Sequence, residues 1–276
     1  MESALHAVQA SDNASVRKKG SHRWRIWDDR DFYTAGEGVA RDAMLGRSVA
    51  IGAAPTYRLW QNEPALIVSR QDMRLPNFAV ATEWMNKAGW PVVMRDTGGT
   101  AVPVGPGVLN ISLVLPRSLV VSMPGYAMDA VYRLLCDPVQ RALESFDVPT
   151  VFGSVPGAFC DGRFNLVAER KKIAGTAQVW RANVALNGTN REGYVLAHAA
   201  LLVDVDPQEV TELVNRFYSM AGKAGKFDHE EIISLRHCIA SGLYPRDKSG
   251  GRSLMKNIRS CIRSSILRMP GPVTFA

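Results

Sequence analysis

The chain has 276 residues, 46% hydrophobic and 21% charged, with a formal net charge of +7, an ordinary globular composition that can bury one large core or two small ones. No apolar run approaches the ~18 residues that span a bilayer, and the start has no apolar signal-peptide core, so a cytoplasmic chain with no stable membrane insertion is expected. Cys136, Cys160, Cys238 and Cys261 show neither CxxC spacing nor histidines at zinc distances, which argues against a disulfide framework or a metal knuckle.

Residues 1–23 are rich in Ser, Ala and charge without helical or strand periodicity and read as a mobile arm, with folding starting near Trp24. Arg58 to Ser69 reads as two short strands around a turn at Asn62-Glu63-Pro64. Phe78 to Ala88 carries helical spacing and is closed by Gly89. Pro91 to Met94 is a buried strand, Arg95 to Gly107 a loop, and Val108 to Leu115 another strand. Ala127 to Phe146 sets Val131, Leu134, Leu135, Val139, Ala142 and Leu143 on one helical face, and Pro138 should kink or divide it. Phe164 to Ala168 and Ile173 to Trp180 form a hairpin turning at Glu169-Arg170-Lys171, followed by a strand from Val195 to Val205. Asp206-Pro207-Gln208-Glu209 caps a helix that runs to Gly222. Lys248 to Gly251 resembles a linker, and Leu254 to Leu267 is an amphipathic helix. Leu254, Met255, Ile258, Cys261, Ile262 and Ile266 share one side of it, and Lys256, Arg259 and Arg263 lie elsewhere.

Helices and strands mix without regular βαβ alternation, so the class is α+β around a mixed, largely antiparallel sheet flanked by helices. Most of the net positive charge sits in Ser241 to Ala276, with seven Lys or Arg against Asp247. Without interleaved aromatics or a recognised motif this reads as a solvated helix face and not as a nucleic-acid surface.

Two segments carry candidate chemistry. In Arg95-Asp96-Thr97-Gly98-Gly99-Thr100-Ala101-Val102 the paired glycines permit positive φ and close ligand approach, and the arginine can neutralise an acid; a simple turn would look the same. In the hairpin, Cys160 stands in a loop twelve residues before Lys172. It is either a thiol that a nearby lysine turns into a nucleophile, or a small buried hydrophobe beside a solvated edge lysine. Ala174, Gly175, Thr176 and Ala177 would leave open space beside the amine. His198, on an apolar strand, is a base near the substrate or a hydrogen-bonded core residue.

Together, "VVMRDTGGTAVPVGPGVLNISLVLP", "FCDGRFNLVAERKKIAGTAQ" and "LAHAALLVDVDP" resemble the ordered motifs of the lipoyl/biotin protein ligase catalytic domain family. The resemblance runs from about Arg58 to beyond Asp206. It implies the class II synthetase-like fold of that family, with a catalytic domain over 24–247 and 248–276 as an appended basic helix. Thr100, Val104 and Gly105 stand where the ATP-dependent ligases carry a third glycine and a His-Asp pair. The Gly-Val-Leu-Asn-x-Ser-Leu-Val segment and the Cys-to-Lys spacing are similar to the octanoyl amidotransferase branch, although Asn165 replaces a usual Asp and Val179-Trp180 replace basic residues.

What the resemblance implies is an acyltransferase that moves an octanoyl or lipoyl group onto lipoyl-domain lysines through a Cys160 thioester, with Lys172 as the second catalytic residue. Arg95, Gly98, Gly99, Ala101, Asn110, Gly175, Thr176, Ala177 and His198 would surround the acyl group, and Val92, Val102 and Ala177 would wall a tunnel that gains ~0.8 kcal/mol per buried methylene. The implied partners are the lipoyl domains of 2-oxoacid dehydrogenase subunits and the glycine-cleavage H protein. No cofactor or metal is needed. The alternatives are a lipoate-protein ligase using ATP and Mg, and a non-catalytic binder of lipoate or lipoyl domains.

Overall fold

The computed structural model describes residues 23–272 except 124–126, 183, 187–188, 192 and 241–250. The arm, up to residue 22, and the linker residues 248–250 lie outside the described residues. In chain order the elements are β1 (Arg25–Tyr33), α1 (Ala35–Ala50), β2 (Thr56–Asn62), β3 (Ala65–Ser69), α2 (Phe78–Lys87), β4 (Val92–Arg95), β5 (Val102–Val104), β6 (Val108–Pro116), α3 (Arg117–Val121) and α4 (Ala127–Glu144). Then come β7 (Val151–Gly153), β8 (Asn165–Ala168), β9 (Lys171–Arg181), β10 (Val184–Leu186), β11 (Thr189–Arg191), β12 (Tyr194–Leu202), α5 (Pro207–Met220), α6 (Leu235–Ala240) and α7 (Gly251–Arg268).

The main sheet runs β1-β2-β6-β12-β9-β8-β7, antiparallel except for β1 and β2. A smaller sheet, β4-β3-β5, pairs β3 with β4 in parallel, and β10 and β11 form a hairpin. The mixed, mainly antiparallel α+β class is as expected. The two strands around Asn62-Glu63-Pro64 also form, but each joins a different sheet, and Val102–Val104 makes a strand inside the segment read as loop.

Strand alternation gives the main sheet two unlike faces. Leu109, Ile111 and Leu113 of β6 and Val195, Ala197, Ala199 and Leu201 of β12 are buried in one core with residues of α4 and α7. The intervening Asn110, Leu196, His198 and Ala200 line a pocket on the other face, beside Val39, Asp42 and Ala43 of α1. Glycines let α1 approach: a Cβ on Gly38 would lie 2.1 Å from the Trp60 ring, and one on Gly46 would lie 2.3 Å from the Tyr194 ring.

Pro138 does not divide its helix. Lacking an N–H, it deprives the Leu134 carbonyl of its helical partner, and the Tyr57 hydroxyl donates to that oxygen at 2.6 Å instead. On α7, Leu254, Met255, Ile258, Ile262 and Ile266 belong to the main core. Arg259 is not on a solvated side. It is 9% exposed, its Nε donates to Asp28 at 2.9 Å, and its other nitrogens reach Gln61 Oε1 and the Leu59 and Asp29 carbonyls. No described helix is long and apolar enough to cross a membrane.

Candidate active site

The β8–β9 hairpin turns on Glu169 and Arg170, with φ of 49° and 65°. Two successive positive values make the tight turn whose twist suits a hairpin, and the register sets Val167 opposite Lys172. Lys172 is only 1% exposed, so it is not a solvated edge lysine. Its Nζ donates to the Cys160 carbonyl at 2.9 Å and to the Phe159 carbonyl, and it lies 5.0 Å from the centre of the Phe159 ring. The space expected beside the amine is occupied by the amine itself: a Cβ on Gly175 would come within 3.1 Å of Nζ.

Cys160 is buried rather than exposed on its loop, and its φ of 49° is left-handed, a conformation that costs a residue with a Cβ roughly 1–2 kcal/mol. Polar contacts hold it there. The Cys160 N–H donates to Thr100 Oγ1 at 2.6 Å, while its carbonyl accepts from Lys172 and from Asn165 Nδ2, the latter at 3.0 Å. Asn165 Oδ1 in turn accepts the Thr176 N–H at 3.0 Å, so an amide, where an aspartate was expected, serves as both donor and acceptor. Asp161 closes the loop by accepting from the Val155 and Gly162 N–H groups and the Ser154 hydroxyl.

The cation that touches the sulfur is Arg95. Its Nη2 lies 3.3 Å from Cys160 Sγ and also donates to the Gly98 and Thr100 carbonyls. Gly99, at φ 100°, permits this approach: a Cβ there would sit 2.5 Å from Sγ and 2.9 Å from the guanidinium. Burial raises the thiol's proton affinity, but the charges of Arg95 and Lys172, the Arg95 hydrogen bond and the Thr100 backbone outweigh it, and Cys160 ends below its ordinary value. Burial pushes Cys238 up to about 12 and Cys136 up further. Burial likewise brings Lys172 down to about 8.

Arg95 also lines the pocket. Of the expected acyl-binding set, Arg95, Asn110 and His198 line it, as does Val102 of the expected tunnel wall; Val92 and Ala177 do not. Gly98, Gly99 and Gly175 shape the Cys160 surroundings, while the Ala101 N–H donates to the Tyr218 hydroxyl and the Thr176 hydroxyl to the Phe164 carbonyl. His198 Nε2 faces the Thr97 hydroxyl at 3.2 Å. Burial and the Arg95 charge bring this imidazole down to about 3, so near neutrality it is an uncharged hydrogen-bonding wall. Asp96 and Arg181 complete the pocket's polar side, Asp96 paired with both Arg70 and Arg181.

Sequence reasoning named Thr100 and Asn165 only as departures from the family's pattern, and it missed their contacts, the role of Thr97 and the contribution of α1. Neither threonine hydroxyl bonds its own turn: Thr97 faces His198 and Thr100 accepts the Cys160 N–H, 60 positions away, so no local pattern announced them.

Residues 34–243 match the model of the lipoyl protein ligase A/B catalytic domain. The chain belongs to that family. Among curated relatives, an octanoyl-[GcvH]:protein N-octanoyltransferase of Kyrpidia tusciae is 44% identical over 71% of this chain. The chain spans just under two thirds of that relative's length, 66%. A lipoyl-[GcvH]:protein N-lipoyltransferase of Listeria monocytogenes is 29% identical over 73% of the chain and 69% of its own length. A lipoate-protein ligase A solved with ATP shares the fold at a TM-score of 0.58 and 18% identity, covering 89% of this chain and 95% of that one.

Proposed function

We propose that this family member is an acyltransferase of protein lipoylation, moving an octanoyl or lipoyl group from the glycine-cleavage H protein to the lysine of another lipoyl domain by way of Cys160. The observation that carries the reading is the buried Cys160 thiol, held below its ordinary proton affinity next to two cations. The names of the two transferase relatives support the donor and the acyl class. The acceptors are lipoyl domains of 2-oxoacid dehydrogenases, and the working unit is the domain over 24–247 together with the segment 248–276, of which α7 packs into the main core, in the cytoplasm, where a thiol nucleophile stays reduced.

In the first half-reaction the Cys160 thiolate attacks the acyl carbonyl carbon and forms a C–S bond. The resulting oxyanion is stabilised by the positive charge around the loop. It collapses with cleavage of the C–N bond, and the donor's lysine nitrogen leaves after taking up one proton. In the second, the neutral acceptor amine attacks the thioester, the C–S bond breaks, and the amine's extra proton is released as the thiolate returns. One amide is exchanged for another, so no ATP is consumed. The wall of Val102, Val104, Ile67 and Leu196 suits an alkyl chain.

The test is intact-mass spectrometry after incubation with octanoylated H protein without ATP. Wild type should gain one octanoyl group that hydroxylamine removes, and Cys160→Ala should gain none. An enzyme that instead needs ATP with free octanoate, and works equally well as Cys160→Ser, is a ligase, and the reading fails.

A further inference from the structure

We propose that Arg95 is the counter-ion of the Cys160 thiolate, and so a catalytic residue in its own right, with Thr100 as the residue that positions the pair. This rests on the reading of Cys160 as the nucleophile.

In a pairing of cysteine with lysine, the ammonium would be the group facing the sulfur. Here the Lys172 amine is bonded to the Phe159 and Cys160 carbonyls, and the hydrogen bond to Sγ comes from Arg95 at 3.3 Å. Arg95 is 7% exposed, and among the described residues no carboxylate pairs with it. A buried guanidinium with no carboxylate is costly unless another anion balances it, and the thiolate is the anion within reach. One of its donors, Nε, is buried and has no partner among the described residues, which leaves an N–H for the oxyanion that forms on the carbon bonded to Sγ. The same side chain lines the pocket, so its charge sits between the thiol and the space read as the acyl site.

Arginine suits the task. It stays protonated throughout the working pH range, so it cannot quench the thiolate by returning a proton, whereas a lysine pushed down to about 8 can exchange one. Thr100 holds both members of the pair. Its hydroxyl accepts the Cys160 N–H at 2.6 Å and its carbonyl accepts from Arg95 Nη2 at 3.0 Å. The position that reads as a loss of the ligases' third glycine therefore carries a side chain that anchors the cysteine.

The experiment follows the rate at which iodoacetamide alkylates Cys160 as pH is raised, quantified on the Cys160 peptide so that other thiols do not contribute. Acylation by octanoylated H protein is measured in parallel. Arg95→Met should move the alkylation midpoint up by about one pH unit or more, and Lys172→Met should move it less. Thr100→Val should raise the midpoint and slow acylation, and Thr100→Ser should restore both. If Arg95→Met does not fold, Arg95→Lys, with a shorter and differently shaped donor, should also raise the midpoint. An unshifted midpoint in a folded Arg95 variant, or a larger shift in Lys172→Met, overturns the proposal while acylation of the wild type stands. A wild type that takes no acyl group at Cys160 overturns the function itself, and with it the catalytic role of Arg95.

Discussion

Two clusters of buried positive charge are treated in opposite ways. Arg58, fully buried, donates to Asp29 through two nitrogens, to Asp42 at 2.8 Å and to the Gly38 carbonyl at 2.7 Å, and it lies against the rings of Trp27 and Trp60. Asp42 also accepts from Ser112, which accepts from Trp60 Nε1. Elsewhere on the pocket side, Arg95 and Lys172 are almost as buried, but their polar partners are main-chain carbonyls and one thiol. The first cluster sets its cation against two carboxylates and ties α1, β1 and β2 together. The second has no carboxylate bonded to either cation among the described residues, although the Asp161 charge acts on Lys172, and an ionised sulfur or an oxyanion forming beside it would balance Arg95.

The contrast breaks most visibly at Arg58. Replacing it with Met leaves two buried carboxylates without their cation, and losing one partner of such a group costs about 3–5 kcal/mol. Urea denaturation at pH 7 should show that loss; a loss below about 1 kcal/mol would mean that the network is ornamental. Lys172→Met should behave in the reverse manner, with stability changed by no more than about 1 kcal/mol but acyl transfer reduced by about two orders of magnitude.

The pH dependence sharpens this second case. Burial brings Lys172 from 10.5 down to about 8 in the folded protein, so between those values the unfolded chain binds more protons than the native one, and native stability rises with pH. Wild type should therefore gain stability relative to Lys172→Met between pH 8 and 10.5. A difference that does not vary with pH would mean that the amine is solvated.

The two clusters were unequally legible in the sequence. Cys160, Lys172 and Arg95 sit in short motifs with fixed order, and strands β6, β8, β9 and β12 announce themselves by runs of apolar and β-branched residues. The Arg58 cluster draws Asp29 and Asp42 from β1 and α1, a stretch that passed unread. Gly36, Gly38 and Gly46 dilute the helical pattern of α1, although two of them are there to admit the Trp60 and Tyr194 rings. The capping box of Thr34 and Glu37 was the signal available. The continuity of the helix through Pro138 was hidden for a related reason: the donor that satisfies the freed Leu134 carbonyl, Tyr57, is 77 positions away from it. The role of Thr100 was hidden in the same way, since the amide it accepts from is 60 positions distant.

The smallest effect tests whether the second cluster also holds its backbone under strain. Cys160 keeps φ at 49° because Thr100, Asn165 and Lys172 fix its N–H and carbonyl, and those bonds do not depend on the side chain. Cys160→Ala and Cys160→Gly both lose the sulfur, so both should be inactive, and both remove the anion from beside Arg95. They differ in the Cβ. At a left-handed position glycine pays no steric penalty, which normally outweighs its greater freedom in the unfolded chain when the native φ is positive. Cys160→Gly should therefore be the more stable of the two by about 1 kcal/mol, read as a higher urea midpoint at an unchanged slope. If alanine proves as stable as glycine, the backbone there is relaxed, and the three polar contacts serve to aim the thiol without holding it against a preferred conformation.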